Sequence, residues 1–112
     1  MDTALNDAAF RLVSHSQVTI DANFHGPRTD EACLAALRVQ FGDARPEAIA
    51  EALERARLLE DAAIQMADAF RGPGDGTHGP PLTRETLAER CPGFSDASYG
   101  WAVNDGFTQT RK

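Results

Sequence analysis

Residues 46–71 read PEAIAEALERARLLEDAAIQMADAFR and carry the longest helical pattern in the chain. Pro46 suits the first turn of a helix, because the N–H that proline lacks would have no partner there. Apolar residues then recur every three or four positions and so share one side of a helix, at Ile49, Leu53, Ala56, Leu59, Ala63, Met66, Ala67 and Phe70. The run Arg71-Gly72-Pro73 ends the pattern. The stretch therefore predicts one long amphipathic helix, the third of the chain.

The length of this helix sets a geometric condition on the fold. At 1.5 Å per residue, residues 46–71 span roughly 39 Å. A compact domain of this size has a radius of gyration of ~13 Å and a diameter of about 26 Å. We therefore expect part of the helix to protrude, to bend or to lie against another molecule.

The apolar stripe of the third helix has two interpretations. We interpret it as the core of a helical bundle, because apolar faces of this kind are ordinarily buried. The alternative is a self-association seam, because the spacing approaches a heptad repeat. Leu58 and Ile64 lie off the stripe and widen the apolar surface, which favours a second partner.

Two shorter helices are predicted before the third. The first runs from about Thr3, its expected cap, to Ser14. The second begins at a cap provided by Thr29 or Asp30, and Gly42 occupies the place of a left-handed C-terminal cap. Between them, Val18 to Phe24 alternates like a strand, but no second strand is visible to pair with it, so strand and helix both stay open there.

Composition restricts the class of protein. The chain has 112 residues, 42% hydrophobic and 25% charged, as expected for one globular domain. Its net charge of −6 repels DNA phosphates and anionic lipid heads at long range. Alanine is abundant and Lys112 is the only lysine beside ten arginines, a bias that we interpret as a GC-rich bacterial or phage genome.

The residues that carry chemistry are few. The histidines and the two cysteines, Cys33 and Cys91, match no zinc spacing, and no nucleophile or metalloprotease motif is present. We therefore expect no metal, no cofactor and no enzymatic activity. The N-terminus lacks the pattern of a secretory signal, and no apolar run approaches the ~20 residues of a membrane span. The expected location is the cytoplasm, with no membrane contact.

Aromatic residues are concentrated after a stretch rich in glycine and proline. Seven of the ten residues at 72–81 are Gly or Pro, which predicts a loop. Four of the eight aromatic residues follow within fourteen positions, at Phe94, Tyr99, Trp101 and Phe107. A segment as short as 82–112 cannot form its own core, so it must dock on the preceding helices or on another chain.

The pattern of this segment is helix, turn, helix. Thr83 caps a short helix from Arg84 to Arg90, the turn is Cys91-Pro92-Gly93-Phe94, and Ser95 or Asp96 caps a second helix that ends at Asn104-Asp105-Gly106. Residues 82–107 thereby resemble a helix-turn-helix unit. The tail from Phe107 to Lys112 fits the start of a wing or a basic tail for phosphates.

The resemblance implies a DNA interface. The second helix would enter the major groove and place Ser95, Asp96, Ser98 and Asn104 near base edges, while phosphates would be held by Arg84, Arg90, Arg111 and Lys112. A second arrangement of this kind, at residues 30–56, is less favourable because its recognition helix would open with Glu47, Glu51 and Glu54.

Together these patterns predict one all-α domain, a small helical bundle over residues 1–112. It comprises a helical core (1–71), a Gly/Pro-rich loop (72–81) and a C-terminal helix-turn-helix-like hairpin docked on the core (82–112). The expected function is that of a non-enzymatic regulatory or protein-interaction module that binds another protein or itself, as a homodimer. The predicted partner-binding residues are Leu58, Ile64, Phe94, Tyr99 and Trp101. The alternative is a DNA-binding transcriptional regulator that uses residues 82–107.

Overall fold

The computed structural model describes residues 2–14, 29–72 and 79–110. These residues form five helices and no strand, which confirms the all-α bundle with a long central helix. The helices are α1 (Thr3–Val13), α2 (Asp30–Gln40), α3 (Pro46–Arg71), α4 (Arg84–Arg90) and α5 (Asp96–Gln109). Val18 to Phe24, the segment left open between strand and helix, lies outside the described residues.

The central helix α3 packs against each of the other four helices. Six residues of its predicted stripe are buried within the chain itself, together with Ala52 and Ala62, whereas Met66 is half-buried and Phe70 is exposed; the six are Ile49, Leu53, Ala56, Leu59, Ala63 and Ala67. The molecule measures 50 × 31 × 19 Å and has a radius of gyration of 14.6 Å, so its long dimension accommodates the helix. The stripe is therefore the bundle core, and its length is matched by an elongated body.

The caps of α1 and α2 differ in part from the sequence-based expectation. Asp2, rather than Thr3, caps α1, because its side chain accepts a hydrogen bond from the Leu5 N–H. Thr29 caps α2 as expected. Gly42 provides no left-handed cap: α2 ends at Gln40 with Phe41 as its C-cap, and among the described residues only Gly72 and Gly93 have positive φ angles.

The hairpin forms as expected, but its second helix is longer. Thr83 and Thr86 make a capping box at α4, and Ser95 caps α5. The expected end at Asn104-Asp105-Gly106 is wrong, since α5 continues to Gln109 and its last turn occupies the start of the suggested wing. Tertiary contacts explain the extension: Gly106 packs on Ala63 of α3.

Arg71, at the end of α3, holds the C-terminal turn of α5. Its guanidinium donates to the Phe107 carbonyl oxygen at 3.0 Å and to the Thr110 hydroxyl at 2.7 Å. The guanidinium also lies 5.5 Å from the centre of the Phe107 ring, within range of a cation–π contact. The carbonyl groups that a helix C-terminus leaves without partners are thereby partly satisfied by the neighbouring helix.

Candidate partner-binding surfaces

The turn of the hairpin is fastened to α1 by side-chain hydrogen bonds. The Asn6 amide donates to the Gly93 carbonyl oxygen at 2.8 Å. The Asp7 carboxylate accepts from the Ser95 N–H at 2.9 Å and from the Ser98 hydroxyl at 2.8 Å. An acid at a helix N-terminus satisfies free N–H groups and complements the helix dipole. The start of α5 is therefore fixed in position by two consecutive residues of α1.

Tyr99 fastens the same turn from within the hairpin. Its hydroxyl donates to the Cys91 carbonyl oxygen at 2.6 Å and accepts from the Phe94 N–H at 3.3 Å. The rings of Phe10 and Phe94 meet edge to face at 6.0 Å, and those of Phe94 and Tyr99 at 5.9 Å. The aromatic pair of the hairpin thus joins the core that α1 contributes.

The five predicted partner-binding residues consequently differ in exposure. Phe94 and Tyr99 are only 8% and 5% exposed, so their rings belong to the core rather than to an open surface. Leu58 is 56% exposed and Trp101 is 40% exposed, whereas Ile64 is half-buried. Tyr99 can be buried because its hydroxyl has hydrogen-bonding partners within the chain. Residue type alone does not reveal such partners.

Trp101 lies on the solvent-facing side of α5. Four exposed positions of this helix follow a spacing of four and three residues, at Ala97, Trp101, Asn104 and Thr108, and Asp96 and Gln109 at its two ends are exposed as well. The sequence of α5 contains no lysine or arginine. Its exposed side therefore offers one large aromatic ring among polar residues, with the carboxylate of Asp96 at the N-terminal end.

The residues predicted to contact nucleic acid are largely engaged within the chain. Ser98 is buried and bonded to Asp7, and the Ser95 hydroxyl caps α5. Arg84 pairs with Asp96 at 3.2 Å, on the wall of a polar groove between α4 and α5 of about 460 Å³. Exposed Arg90 donates to Gln65 at 3.2 Å.

The other members of that predicted interface are more scattered. Asn104 is exposed on α5, and Arg111 and Lys112 lie outside the described residues. The structure thus brings Arg84 and Asp96 together but gives the recognition side of α5 no positive charge.

A second exposed apolar feature is a groove between α2 and α3, here called the Leu58 groove. Its volume is about 280 Å³, and its lining comprises Asp30, Leu34, Ala50, Leu53, Glu54, Arg57 and Leu58. Leu58 was predicted from its position off the stripe, but its companions on α2 were not. Their proximity depends on the pairing of two helices, which local periodicity does not specify.

Two groups near the hairpin turn have altered acidity. Burial raises the pKa of the Cys91 thiol, and nearby Arg90 offsets this only in part. Burial also raises the pKa of Tyr99, against the hydrogen bond from the Phe94 N–H, which lowers it. Both shifts favour the protonated form, so neither prepares a nucleophile.

Polar side chains inside the bundle are the part of the structure that the sequence analysis missed. The Ser14 hydroxyl donates to the Asp105 carboxylate, and both residues are fully buried. Asn6 is buried as well and bonds to the hairpin turn. These pairs join α1 to the C-terminal hairpin. Among the described residues, no group of three or more His, Cys, Asp or Glu side chains is arranged to hold a metal ion.

Comparison with protein-family models, with curated proteins and with solved structures gives no significant match. In the described part of the chain, every helix is too short or too polar to cross a bilayer. The exposed surfaces and their charges are therefore the basis on which a function can be assigned.

Proposed function

We propose that this protein is a non-enzymatic regulatory module that acts by binding a protein partner with a basic surface. The observation that carries the proposal is the exposure of Trp101 on a helix without lysine or arginine. Tryptophan is enriched among the residues that dominate binding energy at protein interfaces. Its 40% exposed ring leaves apolar area that a partner can cover.

The fixed position of α5 supports this role. Asp7 holds the N-terminal end of the helix, and Arg71 holds its C-terminal end. A side chain on a helix that is fastened at both ends loses less conformational freedom on binding than one on a loop. Trp101 is therefore a pre-organised anchor.

The charge of the molecule supports a basic partner. The chain carries −6 overall. The outward positions of α3, called here the outer face of α3, alternate by four and three residues and are all exposed. They are Glu47, Glu51, Glu54, Leu58, Asp61, Gln65 and Asp68. Complementary charge speeds association with a basic protein and opposes wrong partners.

A homodimer is a less favourable arrangement for the same reason. Apart from the exposed ring of Phe70, the apolar stripe of α3 is already covered by the chain's own helices. Contact between two copies through the outer face of α3 would bring carboxylates against carboxylates, and like charges across an interface oppose binding. The partner that we propose is therefore a different protein and not a second copy of this chain.

DNA binding remains the second candidate, because the helical hairpin at residues 82–107 does form. Its support is weaker than that for a protein partner. Arg84 is paired with Asp96, Ser98 is buried, and α5 brings no cation to a phosphate backbone. Duplex binding at low salt that weakens steeply as salt rises would favour this candidate.

The test is affinity capture from lysate of the source cell, with and without nuclease. We compare the wild-type protein with Trp101→Ala and with the control Val39→Ala, which removes an apolar side chain that is 86% exposed on α2. We expect a protein partner that survives nuclease, is retained by the control and is lost with Trp101→Ala. Equal retention by both variants would refute the role of Trp101, and loss on nuclease treatment alone would favour DNA.

A further inference from the structure

We propose that the Leu58 groove binds an apolar side chain projecting from a basic amphipathic helix of the partner. This inference rests on the proposed function, because it names the class of partner and a second site at which that partner is held. It concerns α2 and α3, whereas the proposed function is carried by Trp101 on α5.

The floor of the groove is apolar. Leu53 is buried, Leu34 is half-buried, and Leu58 at the edge is 56% exposed. A volume of about 280 Å³ lies just below the range for small-molecule pockets, which are also more enclosed. The groove therefore suits a side-chain anchor from a protein rather than a free metabolite.

The charges at the rim of the groove determine whether the occupant should be basic or acidic. Arg57 is the one basic residue of the lining, and Asp30 on the opposite helix holds its guanidinium at 2.5 Å. The opposite charges of Arg57 and Asp30 cancel, so the carboxylate of Glu54 gives the lining a net negative charge. The entrance is therefore negative around an apolar floor.

The surroundings extend this negative character along the helix. Leu58 lies on the outer face of α3 between Glu54 and Asp61, with Glu51 one turn further towards the N-terminus. The Glu51 carboxylate forms an ion pair with Arg55 at 3.5 Å. Arg55 does not belong to the outer face, which contains no lysine or arginine. Lysine or arginine in the occupant, on either side of its apolar anchor, would complement this row.

A helix is the element that fits such a row. The outer face of α3 steps by three and four residues, the spacing with which a second helix aligned along α3 meets it. Docking the apolar side of a helix in a hydrophobic groove is a common mode of peptide recognition. DNA, anionic lipid and a second copy of this acidic chain would all meet repulsion here.

The experiment uses the full chain and a synthetic helical probe. The probe is a fluorescein-labelled peptide of about five helical turns, with leucines spaced by three and four and lysines beside them. A peptide of identical composition in scrambled order is the control for charge alone. We expect saturable binding of the patterned peptide, measured by fluorescence anisotropy, at least about tenfold tighter than that of the scrambled one.

Variants assign the binding to the groove. Leu58→Ala should weaken the patterned peptide about tenfold, while Val39→Ala, equally apolar but outside the groove, should leave it within about twofold. Glu54→Gln should weaken it about threefold and flatten its salt dependence, whereas Glu89→Gln, the same charge change on α4, should not. Leu58 is largely exposed, and thermal unfolding followed by circular dichroism confirms that each variant is folded.

Three outcomes would overturn the inference: no saturable binding, equal affinity for the scrambled peptide, or equal losses at Leu58 and Val39. Any of them leaves the Trp101 experiment unaffected, so failure of the groove is distinct from failure of the proposed function. Loss of the captured partner in both Trp101→Ala and Leu58→Ala would show that one partner uses both sites.

Discussion

Gly106 of α5 crosses Ala63 of α3 so closely that a β-carbon at position 106 would lie 2.5 Å from the Ala63 carbonyl oxygen. The same β-carbon would lie 2.9 Å from Cδ2 of Leu82. Because the first neighbour is backbone inside a helix, it cannot move away as a flexible side chain can. The position therefore requires glycine so that the two helices can touch.

Replacement of Gly106 by alanine should destabilise the protein. We expect Gly106→Ala to lower the free energy of unfolding by about 1–3 kcal/mol, since α5 must shift away from α3. The measurement is urea unfolding followed by circular dichroism. Gly100→Ala is the matched control, because there a β-carbon meets only the Arg84 side chain at 3.5 Å. Alanine has the higher helix propensity, so the control should gain up to about 1 kcal/mol. Equal effects at both sites would contradict the close crossing.

Removal of the Asp7 carboxylate should loosen the hairpin. Asp7→Ala leaves the Ser95 N–H and the Ser98 hydroxyl without their acceptor, and we expect a loss of about 1–2 kcal/mol in the free energy of unfolding. Asp7→Asn keeps an acceptor oxygen and should lose less. The exposed Asp61→Ala serves as control, within about 0.5 kcal/mol of wild type. An Asp7→Ala protein as stable as wild type would show that the Asp7 hydrogen bonds do not stabilise the hairpin.

The Tyr99 hydroxyl should make stability depend on alkaline pH. Burial raises its pKa in the folded state, so the folded protein holds the proton at pH values where the unfolded chain releases it. Its contribution is fully present below the unfolded value, about 10, and declines as pH rises through the folded value. Thermal unfolding between neutral and strongly alkaline pH measures this decline.

Tyr99→Phe separates that titration from other alkaline effects. The variant loses the hydrogen bonds to Cys91 and Phe94 and should be less stable by about 1–2 kcal/mol at neutral pH. Its stability should then fall less steeply than that of wild type at alkaline pH. Parallel curves for the two proteins would exclude Tyr99 as the titrating group.

The Cys91 thiol should react slowly with alkylating reagents. Its raised pKa leaves less thiolate at mildly alkaline pH than a free thiol has, and the thiolate is the reactive form. We expect the rate of carboxamidomethylation by iodoacetamide, followed by mass spectrometry, to be several-fold below that of glutathione. Its pH profile should have a midpoint above that of a free thiol. A rate equal to that of glutathione would contradict the burial of Cys91.

The central helix could be predicted from sequence because its information is local. Pro46 at its start, the apolar spacing and Gly72 at its end are all within the segment, and α3 has the predicted bounds. The end of α5 depends instead on residues elsewhere in the chain. Asn104-Asp105-Gly106 is a poor helix sequence, yet Ala63 and Arg71 supply contacts that keep it helical to Gln109.

The candidate surfaces show the same division. The exposure of Leu58 followed from its position off the stripe, but the opposing wall with Leu34 depends on how α2 is placed. Aromatic character alone could not separate buried Phe94 and Tyr99 from exposed Trp101, because each fits a core or an interface. The polar contacts of Asn6 and Asp7 fix how the hairpin lies on α1, and so which of its aromatic rings are buried. These contacts join residues that lie far apart in the sequence.

The attachment of α1 to the hairpin turn has a consequence for biosynthesis. Synthesis of α1 precedes that of α5, the last of the described helices, so α1 finds its hydrogen-bond partners in the hairpin only when that later part of the chain has been made. During translation the side of α3 that receives Gly106 stays uncovered, and such apolar surface in a nascent chain invites aggregation. Emergence of α5, rather than of the long helix α3, is therefore the event that completes this bundle.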